Sequence, residues 1–283
     1  MADTLGGALR EATARLVATG SDTARMDAEL LLAHAAGTTR TELFLLCARG
    51  DGPEPAGFAA LVERRAGGEP VAYILGHQDF YGRSFRVTPD VLIPRSDTES
   101  VVAAALAAAP QPNRILDLGT GSGAMLVTSL LERPGALGVG TDASAAALAV
   151  AENNAQRLGL TRRHTRFLQR DWLADGWAAD LGLFDLIVAN PPYVEDDAEL
   201  DASVRDFEPA QALFAGPEGL DDYRALIPQL PALLAPGGVA VLEIGYRQAA
   251  AVTAIAEAQG FAVELHPDLA GRDRTVILRR SCG

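Results

Sequence analysis

Short apolar runs alternate with helix-like stretches from residue 113 onward, and this succession limits the possible folds more than any other feature of the sequence. The first two runs, 115–118 and 137–141, are each followed by a helical stretch. Further runs of strand length lie at 165–169, 184–189, 239–244, 261–265 and 275–278. Continuous apolar strands separated by helices are typical of sheets buried on both faces. The sequence therefore predicts an α/β fold with a mainly parallel sheet covered by helices on both sides.

The N-terminal part of the chain has a different pattern. Residues 1–68 contain short amphipathic stretches and no strand pattern, and one helical stripe is formed by Leu5, Leu9, Ala12 and Leu16. Ser21 is the expected N-cap of a second helix, and two more helices are predicted at 41–48 and 55–66. We therefore predict a small all-helical domain over residues 1–68.

A third composition separates these two regions. Residues 69–95 are rich in β-branched and aromatic residues with glycine at turn positions, which predicts one or two hairpins. Ser96 and Glu99 match a capping box, so a helix should run from there to residue 109. The predicted organisation is a helical domain (1–68), a β-hairpin linker (69–95) and an α/β domain (96–283).

The charge balance restricts the partners of the chain. Its 283 residues include 24 Lys and Arg against 37 Asp and Glu, a formal net charge of −13. An acidic surface repels the phosphates of a nucleic acid and suits a basic partner. One segment, residues 195–208, holds seven acidic residues and one Arg. This segment is either a solvated loop or a lid that attracts a basic protein.

Cysteine, histidine and hydropathy patterns exclude other classes of protein. Cys47 and Cys282 lie at opposite ends of the chain, and the four histidines show no metal-ligand spacing, so we expect neither a disulfide scaffold nor a metal site. No apolar run reaches the ~18 residues of a membrane span, and the N-terminal stretch lacks a secretory apolar core. We expect a cytoplasmic protein.

The first motif that indicates chemistry is DLGTGSG, residues 117–123, between a predicted strand and a predicted helix. Its alternate glycines allow a sharp turn and close approach of a ligand, but their spacing differs from G-x-G-x-x-G, and no P-loop motif occurs. Asp142 ends the next strand, where a carboxylate can accept both ribose hydroxyls of an adenosine group. The alternative is a packing turn followed by an acidic strand end.

The second motif is NPPY, at the end of the strand 184–189. Two prolines hold the backbone extended and remove competing amide donors. The Asn190 side-chain oxygen and a proline carbonyl can then accept two hydrogen bonds from a planar NH2 group, and Tyr193 offers a stacking face. These features predict a site for an amide or an exocyclic amine, the alternative being a simple Pro-rich turn.

Together these motifs resemble the S-adenosylmethionine-dependent amino methyltransferases. The segments PVAYILG, DFYG, VTPDVLIPRSDTE, LEIGYRQ and DLAGRDR narrow the resemblance to the HemK/PrmC family, the glutamine-N5 methyltransferases of class I peptide chain release factors. The resemblance covers essentially the whole chain. It implies a Rossmann-like class I methyltransferase domain with a mainly parallel seven-stranded sheet, and a helical domain that docks the protein substrate.

The resemblance also implies a reaction and a partner. The cofactor would be S-adenosylmethionine, the product S-adenosylhomocysteine, and the methyl acceptor the glutamine amide nitrogen of the GGQ motif in a class I release factor. We expect a monomer without direct nucleic-acid or membrane contacts. Adenine-N6 or other nucleic-acid amino methylation is the alternative, although it needs a basic groove. Methylation of a ribosomal protein glutamine and a non-enzymatic cofactor-binding scaffold are two further alternatives.

Individual residues receive roles from the same resemblance. The methionine part of the cofactor would be lined by Gly119, Thr120, Gly121, Ser122 and Gly123. Asp142 would bind the ribose, while Asp171 and Trp172 would cover the adenine. The catalytic residues would be those that hold the glutamine, with Asn190 also near the methionine end: Asn190, Pro191, Pro192 and Tyr193. Residues 212–220 lack the Gly-Gly pair expected there, which affects the shape of that loop.

Overall fold

The computed structural model of the chain describes residues 4–50 and 52–280, which fall into two compact units. One unit reaches His77 and includes Leu200–Phe207, and the other comprises Gln78–Glu199 and the chain from Glu208 onward. The helices of the described residues are α1 (Leu5–Val17), α2 (Ala24–Ala35), α3 (Arg40–Arg49), α4 (Phe58–Ala66), α5 (Val71–Leu75), α6 (Ser96–Ala108), α7 (Ala124–Glu132), α8 (Ala145–Arg157), α9 (Ala202–Phe207), α10 (Asp221–Leu226) and α11 (Ala249–Glu257). The strands in the same residues are β1 (His77–Phe80), β2 (Arg83–Arg86), β3 (Arg114–Leu118), β4 (Leu137–Asp142), β5 (Thr165–Gln169), β6 (Phe184–Ala189), β7 (Leu234–Glu243), β8 (Phe261–Pro267) and β9 (Asp273–Arg280).

The first unit is helical and buries the stripe predicted for α1. Its hydrophobic cluster includes Leu5, Leu9, Ala12 and Leu16 together with leucines of α2. The predicted N-cap Ser21 is wrong: α2 follows Thr23, and the Ser21 hydroxyl donates to the Asp27 carboxylate at 3.2 Å. The Ser21 hydroxyl therefore binds a buried carboxylate in the first turn of α2 and does not act as the N-cap of that helix.

The region between the two domain patterns contains one hairpin and one unpredicted helix. Pro70 starts α5, because its fixed φ suits a helix start and its carbonyl accepts the amides of Tyr73 and Ile74. The hairpin β1–β2 turns at Tyr81 and Gly82, whose φ angles are 52° and 70°. Two positive φ angles in succession are those of a type I′ turn, which matches the twist of hairpin strands.

The predicted capping box at Ser96 is also wrong. The N-cap of α6 is Arg95, and no side chain caps it. The Glu99 carboxylate accepts instead from the Tyr81 amide at 2.7 Å. This carboxylate therefore fastens the hairpin turn to the first turn of α6.

The second unit is built on a seven-stranded sheet of order β5-β4-β3-β6-β7-β9-β8. The first five strands of this order are parallel, and β9 is antiparallel to both of its neighbours. Successive residues of each central strand enter different hydrophobic clusters: Ile115 and Leu186 belong to one, Leu116 and Ile187 to the other. Because side chains alternate along a strand, both faces of the sheet are buried. The predicted mainly parallel, seven-stranded α/β fold is confirmed.

The strand order places the two sequence motifs side by side. From β3 the chain proceeds to β4 and β5 on one side, whereas β6 lies on the other side of β3. Leu118 and Ala189, the last residues of β3 and β6, are paired. Parallel α/β sheets bind ligands at such a switch point, outside the carboxyl ends of the strands. The loops that follow β3 and β6 meet there.

Candidate active site

A cavity of about 350 Å³ lies at this edge of the sheet, within the second unit. Nine of the predicted site residues line it: Gly119, Thr120, Gly121, Ser122, Asp142, Asp171, Trp172, Asn190 and Pro192. The other three predicted site residues do not line the cavity. Gly123 is the N-cap of α7, Pro191 is buried, and Tyr193 packs against the hydrophobic cluster that includes Leu118.

The glycine loop, residues 119–123, turns through left-handed backbone conformations. Gly119 has φ 72° and Gly121 has φ 53°, which non-glycine residues rarely adopt. A Cβ on Gly119 would approach the Trp172 ring to 3.2 Å. The amides of Gly119 and Thr120 both donate to the Thr141 carbonyl. The loop is therefore fixed to the end of β4 and leaves a narrow cradle that a side chain would fill.

Asp142 anchors this loop from the end of β4. Its Oδ2 accepts from the Gly121 amide and its Oδ1 from the Ser144 amide, both at 2.9 Å. Burial raises the pKa of this carboxyl, while the two amides act in the opposite direction. Each oxygen keeps a free lone pair and the residue lines the cavity, so the carboxylate fits a diol such as that of ribose.

Two side chains that the sequence reasoning missed hold Trp172. Its indole Nε1 donates to Asp222 Oδ1 at 2.9 Å, and its carbonyl accepts from Gln229 Nε2 at 3.0 Å. The neighbouring Leu173 is 69% exposed and also lines the cavity. Trp172 and Leu173 thus form an apolar wall that fits a flat heterocycle. Asp222 and Gln229 lie some 50 residues further along the chain, and no local pattern marks them.

Asp117 is a third residue whose role the sequence reasoning missed. It is 1% exposed, and its Oδ2 accepts from the Thr120 hydroxyl at 2.7 Å. Its Oδ1 is buried, has no hydrogen-bond partner in the described residues, and belongs to a residue that lines the cavity. Such an oxygen is satisfied by a ligand donor or a bound water. Its position as the first residue of DLGTGSG is the one sequence signal that marks it.

The raised pKa of Asp117 makes stability depend on pH. Burial raises it to about 7, so the folded protein retains a proton that the unfolded chain releases near pH ~4. The stabilisation from this group is complete below pH ~4, falls as the pH rises towards about 7, and is constant above it. Asp117→Asn should gain stability relative to wild type by up to about 1.4 kcal/mol per pH unit in that window.

Urea unfolding followed by tryptophan fluorescence measures this effect. Both tryptophans, Trp172 and Trp177, lie in the second unit, so the signal reports that unit alone. A difference in unfolding free energy between variant and wild type that stays constant from about pH 5 to 8 would contradict the assignment.

The diproline corner, residues 190–193, is held in an extended form by the chain that follows it. Val194 exchanges hydrogen bonds with Leu213 and Ala215. Gln248 Nε2 donates to the carbonyls of Tyr193 and Gly219, both at 2.9 Å. A Cβ on Gly219 would lie 2.3 Å from the Tyr193 carbonyl oxygen, so only glycine fits there.

Asn190 retains its hydrogen-bonding capacity. It lines the cavity, and no other described residue makes a hydrogen bond to its side chain. The following two prolines have no amide hydrogens, and their carbonyls are acceptors only. The corner therefore offers several acceptors at one edge of the cavity.

The acidic segment 195–208 does not form a single element. Leu200–Phe207 belongs to the first unit, whereas Glu208 belongs to the second. Glu208 is buried, and its carboxylate accepts from the Ile93 amide and pairs with Arg95, which lines the cavity. This acidic residue therefore supports the cavity wall through Arg95 and is not part of a solvated run.

Within residues 4–50 and 52–280, no group of three or more His, Cys, Asp or Glu residues could hold a metal ion. No helix in those residues is long and apolar enough to cross a membrane. Cys47 is a free thiol in the first unit, and Cys282 lies outside the described residues.

The sheet and its cavity define the class of protein. The family described as methyltransferase small domain matches residues 97–215. A ribosomal protein L11 methylase from Lactobacillus delbrueckii subsp. bulgaricus has a similar solved structure, with a TM-score of 0.51 and 25% identity over 72% of this chain and 90% of that one. The second unit is a methyltransferase domain.

The particular family follows from the whole chain. The family described as PrmC N-terminal domain matches residues 7–76. A release factor glutamine methyltransferase from Cereibacter sphaeroides is 48% identical over 96% of this chain and 97% of its own length. Another from Moorella thermoacetica is 45% identical over 98% and 99%, respectively. The chain belongs to the release factor glutamine methyltransferase family.

Proposed function

We propose that this protein transfers a methyl group from S-adenosylmethionine to the side-chain amide nitrogen of a glutamine in class I peptide chain release factors. One observation supports this function above the others: the glycine loop and Asn190 of the diproline corner line the same cavity at the switch point of the sheet. A donor on the loop and an amide on the corner would therefore meet. Membership of the family supplies the identity of the substrate.

The residues of the cavity fit the cofactor part by part. The cradle at Gly119 suits the methionine chain, and the unpaired Asp117 Oδ1 suits a cationic donor such as its ammonium group. Asp142 suits the ribose diol, and Trp172 with Leu173 suits the adenine. When bound, S-adenosylmethionine supplies an electrophilic methyl group on a sulfonium.

The corner has to activate a weak nucleophile. An amide nitrogen reacts poorly because its lone pair is delocalised into the carbonyl. Asn190 Oδ1 and a proline carbonyl of the corner would accept its two hydrogens, which aligns the nitrogen with the methyl group. The same two acceptors favour the positive charge that develops on the nitrogen during transfer. Positioning and charge stabilisation thus replace a general base, and the surplus proton is lost after transfer.

The helical unit is assigned to recognition of the substrate. The second unit already contains the cavity and both motifs. We assign residues 1–68 to docking of the release factor, residues 69–95 to the linker and residues 96–283 to catalysis. Because the substrate is a translation factor, we further propose that the protein acts in the cytoplasm. We also propose that it is a monomer.

Methyl transfer can be measured directly. The protein is incubated with labelled S-adenosylmethionine and either a class I release factor or duplex DNA, and the modified product is located by mass spectrometry. We expect one added methyl on the GGQ glutamine and none on DNA. A release factor with that glutamine replaced by alanine is the control and should remain unlabelled. Labelled DNA, or an unlabelled wild-type release factor, would refute the function.

A further inference from the structure

One short segment contacts both the side-chain hydroxyl and the backbone carbonyl of Tyr193. This segment is LEIGYRQ, residues 242–248, which comprises the last two residues of β7 and the five that follow. The Tyr193 hydroxyl lies 3.5 Å from Glu243 Oε1, which is long for a hydrogen bond between two oxygens. Its carbonyl accepts from Gln248 Nε2 at 2.9 Å. Ring and backbone of the last corner residue are therefore both held by this segment.

The Glu243 carboxyl also reaches the wall of the cavity. It is 1% exposed, and its Oε2 accepts from the Thr98 hydroxyl at 2.6 Å. Thr98 lines the cavity from the first turn of α6. The Glu243 carbonyl accepts from the Tyr223 hydroxyl at 2.8 Å, which anchors the end of β7 from α10. One buried carboxyl thus connects the cavity wall with the corner.

The Glu243 carboxyl is hydrogen-bonded to two hydroxyls, while the charged groups near it have other partners. Arg274, the nearest guanidinium, donates to the Ile244 carbonyl at 3.1 Å and pairs with Asp97 at 3.3 Å. Burial raises the pKa of Glu243 to about 7, with Thr98 and Arg274 lowering it and Asp97 raising it. Burial and Glu243 together raise the pKa of Tyr193 to about 12, so its hydroxyl remains a donor.

We propose that Glu243 is a positioning residue for methyl transfer: it accepts the Tyr193 hydroxyl hydrogen and, with Gln248, fixes the corner whose acceptors hold the glutamine amide. A carboxyl buried at this depth is costly to ionise, and a neutral side chain would serve a purely structural purpose at lower cost. A role in orienting the corner explains why a carboxyl is buried at this position. The inference rests on the proposed function.

The test is a double-mutant cycle on turnover with the full-length protein and a class I release factor. Glu243→Gln and Tyr193→Phe are each expected to lower kcat about tenfold, because small displacements of reacting groups are costly. The double variant should be no slower than the slower single variant. Tyr193→Phe removes the hydroxyl, and Glu243→Gln replaces one of the two acceptor oxygens by an NH2 donor, so that a single amide oxygen remains for Thr98 and Tyr193. The Kd for S-adenosylmethionine, measured by calorimetry, should stay within about twofold, because neither residue lines the cavity.

Tyr223→Phe is the matched control. It removes a buried hydroxyl that binds the carbonyl of the same Glu243, and not its carboxyl. We expect it to lower the unfolding midpoint, to leave kcat unchanged, and to add independently to Glu243→Gln. The dependence of kcat on pH near neutrality should be weaker in Glu243→Gln than in wild type, which a purely structural role would not produce.

Several results would overturn the inference. They are additive losses of kcat in the double variant, a wild-type kcat in Glu243→Gln, or a loss of cofactor affinity that parallels the loss of kcat. Urea unfolding of the same variants measures the Glu243–Tyr193 coupling without any substrate, and zero coupling would also refute the contact. Failure of the wild-type protein to methylate the release factor refutes the proposed function instead, and the unfolding cycle then still decides whether Glu243 holds Tyr193.

Discussion

Asn190→Ala is expected to lower kcat for release factor methylation by about 10²–10³-fold, the usual loss when one group that stabilises transition-state charge is removed. The variant loses the side-chain oxygen that we propose as acceptor of one amide hydrogen, while the proline carbonyls remain. The Kd for S-adenosylmethionine should change by no more than a few-fold, because the cradle and Asp142 are untouched. Single-turnover kinetics at saturating cofactor separate the two effects.

Asn113→Ala is the control for this variant. Asn113 is an exposed residue directly before β3, at the opposite edge of the same sheet. It should retain wild-type kcat. If Asn190→Ala also turned over at the wild-type rate, the assignment of the corner to the acceptor amide would be wrong.

Asp142→Ala is expected to weaken the Kd for S-adenosylmethionine by at least about 100-fold. On the proposed function, the variant would remove two charge-assisted hydrogen bonds to ribose hydroxyls, each contributing about 1.5–3 kcal/mol. It also frees the Gly121 amide, so the glycine loop loses its anchor. Isothermal titration calorimetry measures the affinity. At saturating cofactor, kcat should recover most of its wild-type value.

Asp185→Ala is a closely matched control for this second variant. Like Asp142, Asp185 accepts two backbone amides, those of Asn113 and Arg114, at 2.8 and 2.9 Å. It lies at the start of β6, away from the cavity. We expect a loss of stability with unchanged cofactor affinity. Equal affinity losses in both variants would indicate that Asp142 acts only through the fold.

The centre of the sheet could be predicted from the sequence because its strands are buried on both faces. The run at 184–189 coincides with β6, since most positions of such a central strand select apolar residues. The run at 165–169 also coincides with a strand, β5, although this edge strand is partly exposed. The glycine loop and the corner could be placed for a related reason. Each directly follows a predicted strand, and parallel strands end at one edge.

The two predicted helix caps were wrong because the capping side chains bind other partners. The Glu99 carboxylate binds the Tyr81 amide and not its own helix start, and the Ser21 hydroxyl binds Asp27. The apolar stretch after Pro70 has the composition of a strand but forms α5, because a proline favours the start of a helix. Composition alone does not distinguish these cases.

The supporting residues of the site were beyond sequence reasoning for a physical reason. Asp222, Glu243 and Gln248 contact Trp172 and Tyr193 across 50 to 55 positions of the chain. These contacts depend on how the strands and loops pack. The segment LEIGYRQ could therefore be recognised as typical of the family, whereas its contacts with Tyr193 could not be derived from a single sequence.

The close approach at Gly219 has a consequence for redesign of the enzyme. With 2.3 Å between a hypothetical Cβ and the Tyr193 carbonyl oxygen, the corner and the loop before α10 cannot move independently. Directed evolution towards a bulkier acceptor would have to change both stretches in the same round of mutagenesis. Libraries that randomise the NPPY motif alone should yield few active clones.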